Sequence, residues 1–136
     1  MKNQEKYFYR ILLHCILPLL IGCIIYLSGR NTTWLNEHLK FIQFHFYGVP
    51  QHSWLFNVFK YNLPDFCWDY SFSSALFLWK QKTDTKIKYF PFAVLFLLMA
   101  SEAIQIFFPF SFTFDWLDML AAFIAFCLSY FLNHKK

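Results

Sequence analysis

Two polar pairs stand inside one apolar stretch, SEAIQIFFPFSFTFDWLDML: the acid-amide pair Glu102 with Gln105, and the acid pair Asp115 with Asp118, each three residues apart. On a helix that spacing puts both members on one face. A second apolar stretch, PDFCWDYSFSS, carries Asp65, Asp69 and Ser73 at i, i+4 and i+8, again one helical stripe. A carboxylate among apolar residues is costly unless it meets a partner. These positions therefore mark either a buried hydrogen-bonding core or a place where a polar or cationic group is held. Paired carboxylates could also serve as acid and base, because burial in a low dielectric strengthens a carboxyl group's hold on its proton.

Simpler roles compete at each position. Asp65, Asp115 and Asp118 stand where helices would begin, and a carboxylate there satisfies free backbone amides and complements the helix dipole. Capping and ligand binding are compatible at these three. Glu102 and Asp69 lie too far along their helices for capping to account for them; Glu102 falls roughly 8 Å below the outer end of its helix. Gln105 suits hydrogen bonding between helices. Arg30 and Lys60 flank the acidic positions, where they would neutralise them or bind an anionic head group, with solvated interfacial anchoring as the alternative.

No metal or cofactor chemistry is expected. His38, His45 and His52 recur every seven residues, but Pro50 interrupts any helix that would align them, and His14 and His134 stand alone. Cys15, Cys23, Cys67 and Cys127 form no Cys-x-x-Cys pair and read as small buried hydrophobes.

Positioning these acids requires membrane helices. The chain has 136 residues, 58% of them hydrophobic and only 15% charged, which bounds it to one domain and to an all-α integral membrane protein. Its net charge of +4 sits in short basic blocks between apolar segments, a pattern of topology determinants rather than of a nucleic-acid surface. Transmembrane helices are expected at about 11–28, 64–80, 89–107 and 115–132. The first reads as a retained helix rather than a cleaved signal, since the run is long and no small-x-small site follows it.

Residues 29–63 read as an external connection with an amphipathic segment in the membrane interface, and Asn62-Leu63-Pro64-Asp65 reads as a helix start. The short run at 64–80 is taken to cross because only then do Lys80, Lys82, Lys86 and Lys88 share the cytoplasmic side with Lys2, Lys6, Arg10, Lys135 and Lys136. Four crossings place both termini in the cytoplasm. They also bring Asp65, Asp69, Glu102, Asp115 and Asp118 to the outer ends of helices two, three and four.

The stretch SEAIQIFFPFSFTFDWLDMLAAFIAF resembles the last two helices of the VanZ-like membrane proteins, in which a Glu-x-x-Gln pair is followed by a loop and an acidic helix start. The matching positions are Glu102, Gln105, Asp115 and Asp118. KYNLPDFCWDYSFSSAL is similar to the preceding segment of small bacterial members through Leu63-Pro64-Asp65 and Trp68. The likeness spans residues 60–128. Members typically carry Arg in the loop, Asn and Gly along the acidic helix and often His in helix two, where this chain has Phe112-Thr113-Phe114, Ala121 with Ala122, and Asp69-Tyr70. The resemblance implies a multi-pass protein of the bacterial cytoplasmic membrane. That family is associated with the cell envelope and with glycopeptide resistance, and has no settled reaction.

Three functions fit these features. An outward-facing acidic pocket would hold an amphiphile, a membrane lipid or a lipid-linked envelope precursor, with its tail between helices and its head at Glu102, Asp69 and Asp118. An accessory subunit of a larger membrane protein would use the serines, small residues and Gln105 for helix association. A membrane-embedded enzyme would use two carboxylates as acid and base. A proton or cation path is disfavoured by the apolar inner halves FAVLFLL and AFIAFCL.

Overall fold

The computed structural model describes residues 2–29, 54–83, 87–104 and 115–134. Among them all regular structure is helical. Helix α1 (Lys2–Ile11) passes through one π-helical turn (Leu12–Ile16) into α2 (Leu17–Gly29), and α3 (Trp54–Thr83), α4 (Phe90–Ile104) and α5 (Trp116–His134) follow.

The π turn has a local cause. Pro18 offers no N–H, and its ring would collide with the His14 carbonyl four residues back. Widening the turn just before it, with the Leu17 N–H bonded to Leu12 O five residues back, takes up the misfit without a break. Ile11 and Leu17 keep helical dihedrals (φ −61°, ψ −47° and φ −61°, ψ −49°), so α1 and α2 form one rod. Residues Gln4–Leu27 of this rod and Trp116–Asn133 of α5 are long and apolar enough to cross a membrane.

The expected helix start at Asn62-Leu63-Pro64-Asp65 is corrected. Helix α3 begins at Trp54 and carries Pro64 in its interior, buried. Proline costs the helix one N–H and crowds the carbonyl four residues back. In apolar surroundings any other backbone conformation would strand more polar groups than that. The 30 residues of α3 span about 45 Å. The expectation for 89–107 meets α4 at Phe90–Ile104, and the one for 115–132 meets α5 at Trp116–His134. The interfacial segment expected within 29–63 falls largely on residues 30–53, outside the described residues.

Contacts fix the helix directions. The Tyr7 hydroxyl donates to Leu78 O (3.3 Å), and Arg10 reaches Gln81 and Asn133, so the start of α1 meets the ends of α3 and α5. Phe77 packs against Phe90, Phe126 and Tyr130 at centroid distances of 6.2, 5.9 and 5.7 Å, which puts the start of α4 at that same end. The rods therefore alternate in direction, with Lys6, Arg10, Lys80, Lys82 and Lys88 at one end and Lys60, Asp65, Asp115 and Asp118 toward the other. Asp69, expected at a helix end, lies instead at the middle of α3, because α3 begins ten residues before Pro64.

Helix α3 is the axis of the bundle, flanked by α2 on one side and α5 on the other, while α4 packs on α5. Small residues permit the close approach. Ala122, Ala125 and Ser129 lie fully buried on one face of α5, opposite the equally buried Ser73 and Ser74 of α3. On the other flank a Cβ at Gly22 would lie 2.9 Å from Trp68 Nε1 and 3.0 Å from Cys67 Cβ, so α2 and α3 touch nearly backbone to backbone. Phe77, Leu78, Val94 and Leu98 complete the apolar core.

Candidate functional site

At the acidic end, α5 opens on its own cap. The Leu117 N–H donates to Asp115 Oδ1 at 3.0 Å and the Asp118 N–H to Asp115 O at 3.1 Å, so Asp115 occupies the capping position its residue type favours. Asp118, one turn further, faces α3: Asn62 Nδ2 donates to Asp118 Oδ1 at 2.6 Å. This bond ties α3 and α5 together at the acidic end and fixes the direction of the Asp118 carboxyl group.

Beside this pair, α3 and α5 part to leave a groove of 320 Å³, bounded by Leu63, Phe66, Leu120 and Ile124, with Asn62 as its polar wall residue. A cleft of this size is at the small end of ligand pockets, and its shape is an apolar trough with a hydrogen-bonded amide and acid beside it. Chemically it can accept an alkyl chain or ring while presenting to a polar head Asn62, whose amide is bonded to Asp118 behind the lining.

The remaining expected site residues are placed as follows. Asp65 and Asp69 lie on the same helix as Asn62, half-buried, and the Asp69 carbonyl accepts from Ser73 Oγ at 2.8 Å. Lys60 sets its ammonium over the Tyr61 ring, 5.3 Å from the centroid. Glu102 sits in α4, and its side chain lies outside what is described; Gln105 and Arg30 lie outside the described residues altogether. The structure thus joins Asp118 to α3 through a residue sequence reasoning had passed over. Asn62 precedes Asp65 by three and Asp69 by seven, the same helical stripe, and it would have been found had Pro64 been read as interior.

A second polar cluster, also missed, lies at the basic end. Arg10 donates to Gln81 Oε1 (2.9 Å) and to Asn133 Oδ1 (3.4 Å). Asn133 in turn donates to Ser74 Oγ and to Ser129 O, both at 3.1 Å, and Ser74 and Ser129 share a hydrogen bond of 3.0 Å. Nearer the middle, His14 Nδ1 and the Tyr70 hydroxyl are hydrogen-bonded at 2.6 Å, and Ser71 Oγ donates to Cys15 O in the π turn at 2.6 Å. These bonds lock α1, α3 and α5 in register. Ser74, Ser129 and Asn133 have no exposed surface, and each hydrogen-bonds another of the three, which is what a buried polar group requires. The signal available was the pair Ser129 and Asn133, one turn apart on the α5 face that carries Ala122 and Ala125.

Among the described residues no group of three His, Cys, Asp or Glu is placed to hold a metal ion. No family model matches the chain, and no curated protein or solved structure gives a significant match to it.

Proposed function

We propose that the chain is a four-span, VanZ-like protein of the bacterial cytoplasmic membrane. In this reading both termini are cytoplasmic, and an amphiphile such as a lipid or lipid-linked envelope precursor is bound in the groove between α3 and α5, on the outward side. The observation that carries the reading is the juxtaposition of the apolar 320 Å³ groove with the Asn62–Asp118 hydrogen bond. An apolar trough beside a fixed amide and acid matches a molecule with a tail and a polar or cationic head.

The membrane setting is supported by the outer faces of the bundle. Leu20, Phe96 and Phe131 stand 53%, 70% and 65% exposed, one on each of α2, α4 and α5, among many other large apolar side chains. A soluble monomer rarely leaves so much apolar surface uncovered. The outward orientation rests on the concentration of basic residues at the opposite end. Kinship with the VanZ-like proteins rests on Glu102, Gln105, Asp115 and Asp118 and on Leu63-Pro64-Asp65.

Native mass spectrometry of protein gently extracted from its own membrane tests this reading, comparing wild type with Asp118→Asn and Asn62→Ala. A discrete small-molecule adduct on the wild type, reduced at least tenfold in both variants, is the expected result. A stoichiometric protein companion with no such adduct would replace the reading with that of an accessory subunit.

A further inference from the structure

The basic end carries a second groove, 480 Å³ in volume, between the start of α4 and the last turns of α5. Its floor is Phe126 and Tyr130, whose rings stack with centroids 6.1 Å apart and an interplanar angle of 22°. Phe77, buried behind them, holds both rings in place. Pro91, Phe92 and Leu95 of α4 form the wall. Lys80 and Lys88 border the groove at the basic end. Their ammonium groups rest over the Phe90 and Tyr89 rings, 5.3 and 5.7 Å from the centroids. Along α4 the apolar wall continues for about 10 Å beyond Lys88, at 1.5 Å per residue to Leu95.

The groove therefore has a polarity gradient: two cations at one end and only aromatic and aliphatic surface along the rest. Two lysines at the level of the basic loop complement a phosphate-bearing head group, and the apolar length behind them complements an acyl chain. A free anion would use the lysines and make no use of the walls, while a neutral lipid would use the walls and make no use of the two cations that border them. We infer that this groove is a binding site for an anionic phospholipid of the membrane leaflet at the basic end. The head group lies between Lys80 and Lys88, and one acyl chain lies over Phe126 and Tyr130.

The test uses detergent-solubilised full-length protein with added phosphatidylglycerol or phosphatidylcholine of identical acyl chains, bound lipid being read by native mass spectrometry. Phosphatidylglycerol is retained preferentially. Lys80→Gln and Lys88→Gln each weaken retention roughly fivefold, and the pair about thirtyfold, as expected for one interfacial cation each. Lys82→Gln is the control, because Lys82 sits at the same end but over the Tyr7 ring of α1, 5.6 Å from its centroid, away from the groove. It changes retention less than twofold. Asp118→Asn leaves this lipid in place, which separates the site from the one at the acidic end. Equal retention of the two lipids, equal losses for Lys82→Gln and Lys80→Gln, no loss in the double variant, or displacement by millimolar inorganic phosphate would each overturn the assignment.

Discussion

Gly22 offers the sharpest test of how α2 and α3 are held together. Replacing it with alanine puts a methyl carbon 2.9 Å from Trp68 Nε1, 3.0 Å from Trp68 Cδ1 and 3.0 Å from Cys67 Cβ. Carbon atoms prefer separations of about 3.5–4.0 Å, so one side must retreat by about 0.5–1 Å. The Trp68 ring lies against Tyr26, with centroids 5.4 Å apart, which opposes its rotation in that direction, and Cys67 Cβ moves only with the α3 backbone. The helices must separate. Overpacking of this kind costs about 1–3 kcal/mol, whereas alanine in place of glycine within a helix returns about 1 kcal/mol. The balance is a loss of about 1 kcal/mol for Gly22→Ala. Gly22→Val adds two further methyl groups without the full propensity gain, and the expected loss is about 3 kcal/mol.

Cys67, buried at this contact, is the reporter. Its alkylation by a membrane-permeant thiol reagent, resolved peptide by peptide, requires the α2–α3 contact to open. It should quicken about fivefold in Gly22→Ala and more than a hundredfold in Gly22→Val. If Gly22→Ala instead slowed alkylation and Gly22→Val left it unchanged, propensity alone would be acting and the close approach would be refuted.

Other perturbations follow from the same contacts. Asn133→Ala removes the amide that bridges Arg10, Ser74 and Ser129 O. It should destabilise the bundle by about 1–3 kcal/mol in detergent-to-SDS unfolding, while Ser129→Ala, which leaves Ser74 its Asn133 donor, costs under about 1 kcal/mol. Asp115→Ala should cost about 1 kcal/mol by loss of the cap to Leu117, and Asp115→Asn should restore most of it in the same titration. For topology, Lys60→Cys and Lys82→Cys should label with an impermeant maleimide from opposite faces of sealed vesicles, the native cysteines providing the blank. Labelling from one face would refute the crossing of α3.

Much of this architecture was legible in the residues. Helices α4 and α5 lie close to the expected hydrophobic runs, whereas the first rod, expected from about residue 11, is already helical from Lys2, so that Lys6 and Arg10 stand within it. Asp115 caps α5 as a residue of its type at that position should. Pro64 misled because proline is a better start than interior residue in a solvated helix. That preference weakens where the backbone has no water to turn to. Losing the first turns of α3 also lost Asn62, the residue that meets Asp118. The cluster at the basic end was illegible for another reason. One serine and one asparagine a turn apart in an apolar helix mark a polar position but not its partners, which are fixed only when Ser74 and Arg10 arrive from two other helices. Long-range pairings of this kind depend on helix rotation, which hydrophobic periodicity fixes poorly when every face of α5 is apolar.

The central claim is occupancy of the groove beside Asn62 and Asp118, and photo-crosslinking in native membranes tests it where it applies. A benzophenone side chain at Leu120, in the groove, is compared with one at Phe131, which is 65% exposed and borders neither groove. The account predicts a defined species captured at position 120, absent at 131 and lost when Asp118→Asn is added. Capture of the same bulk phospholipids at both positions, unchanged by Asp118→Asn, would contradict it.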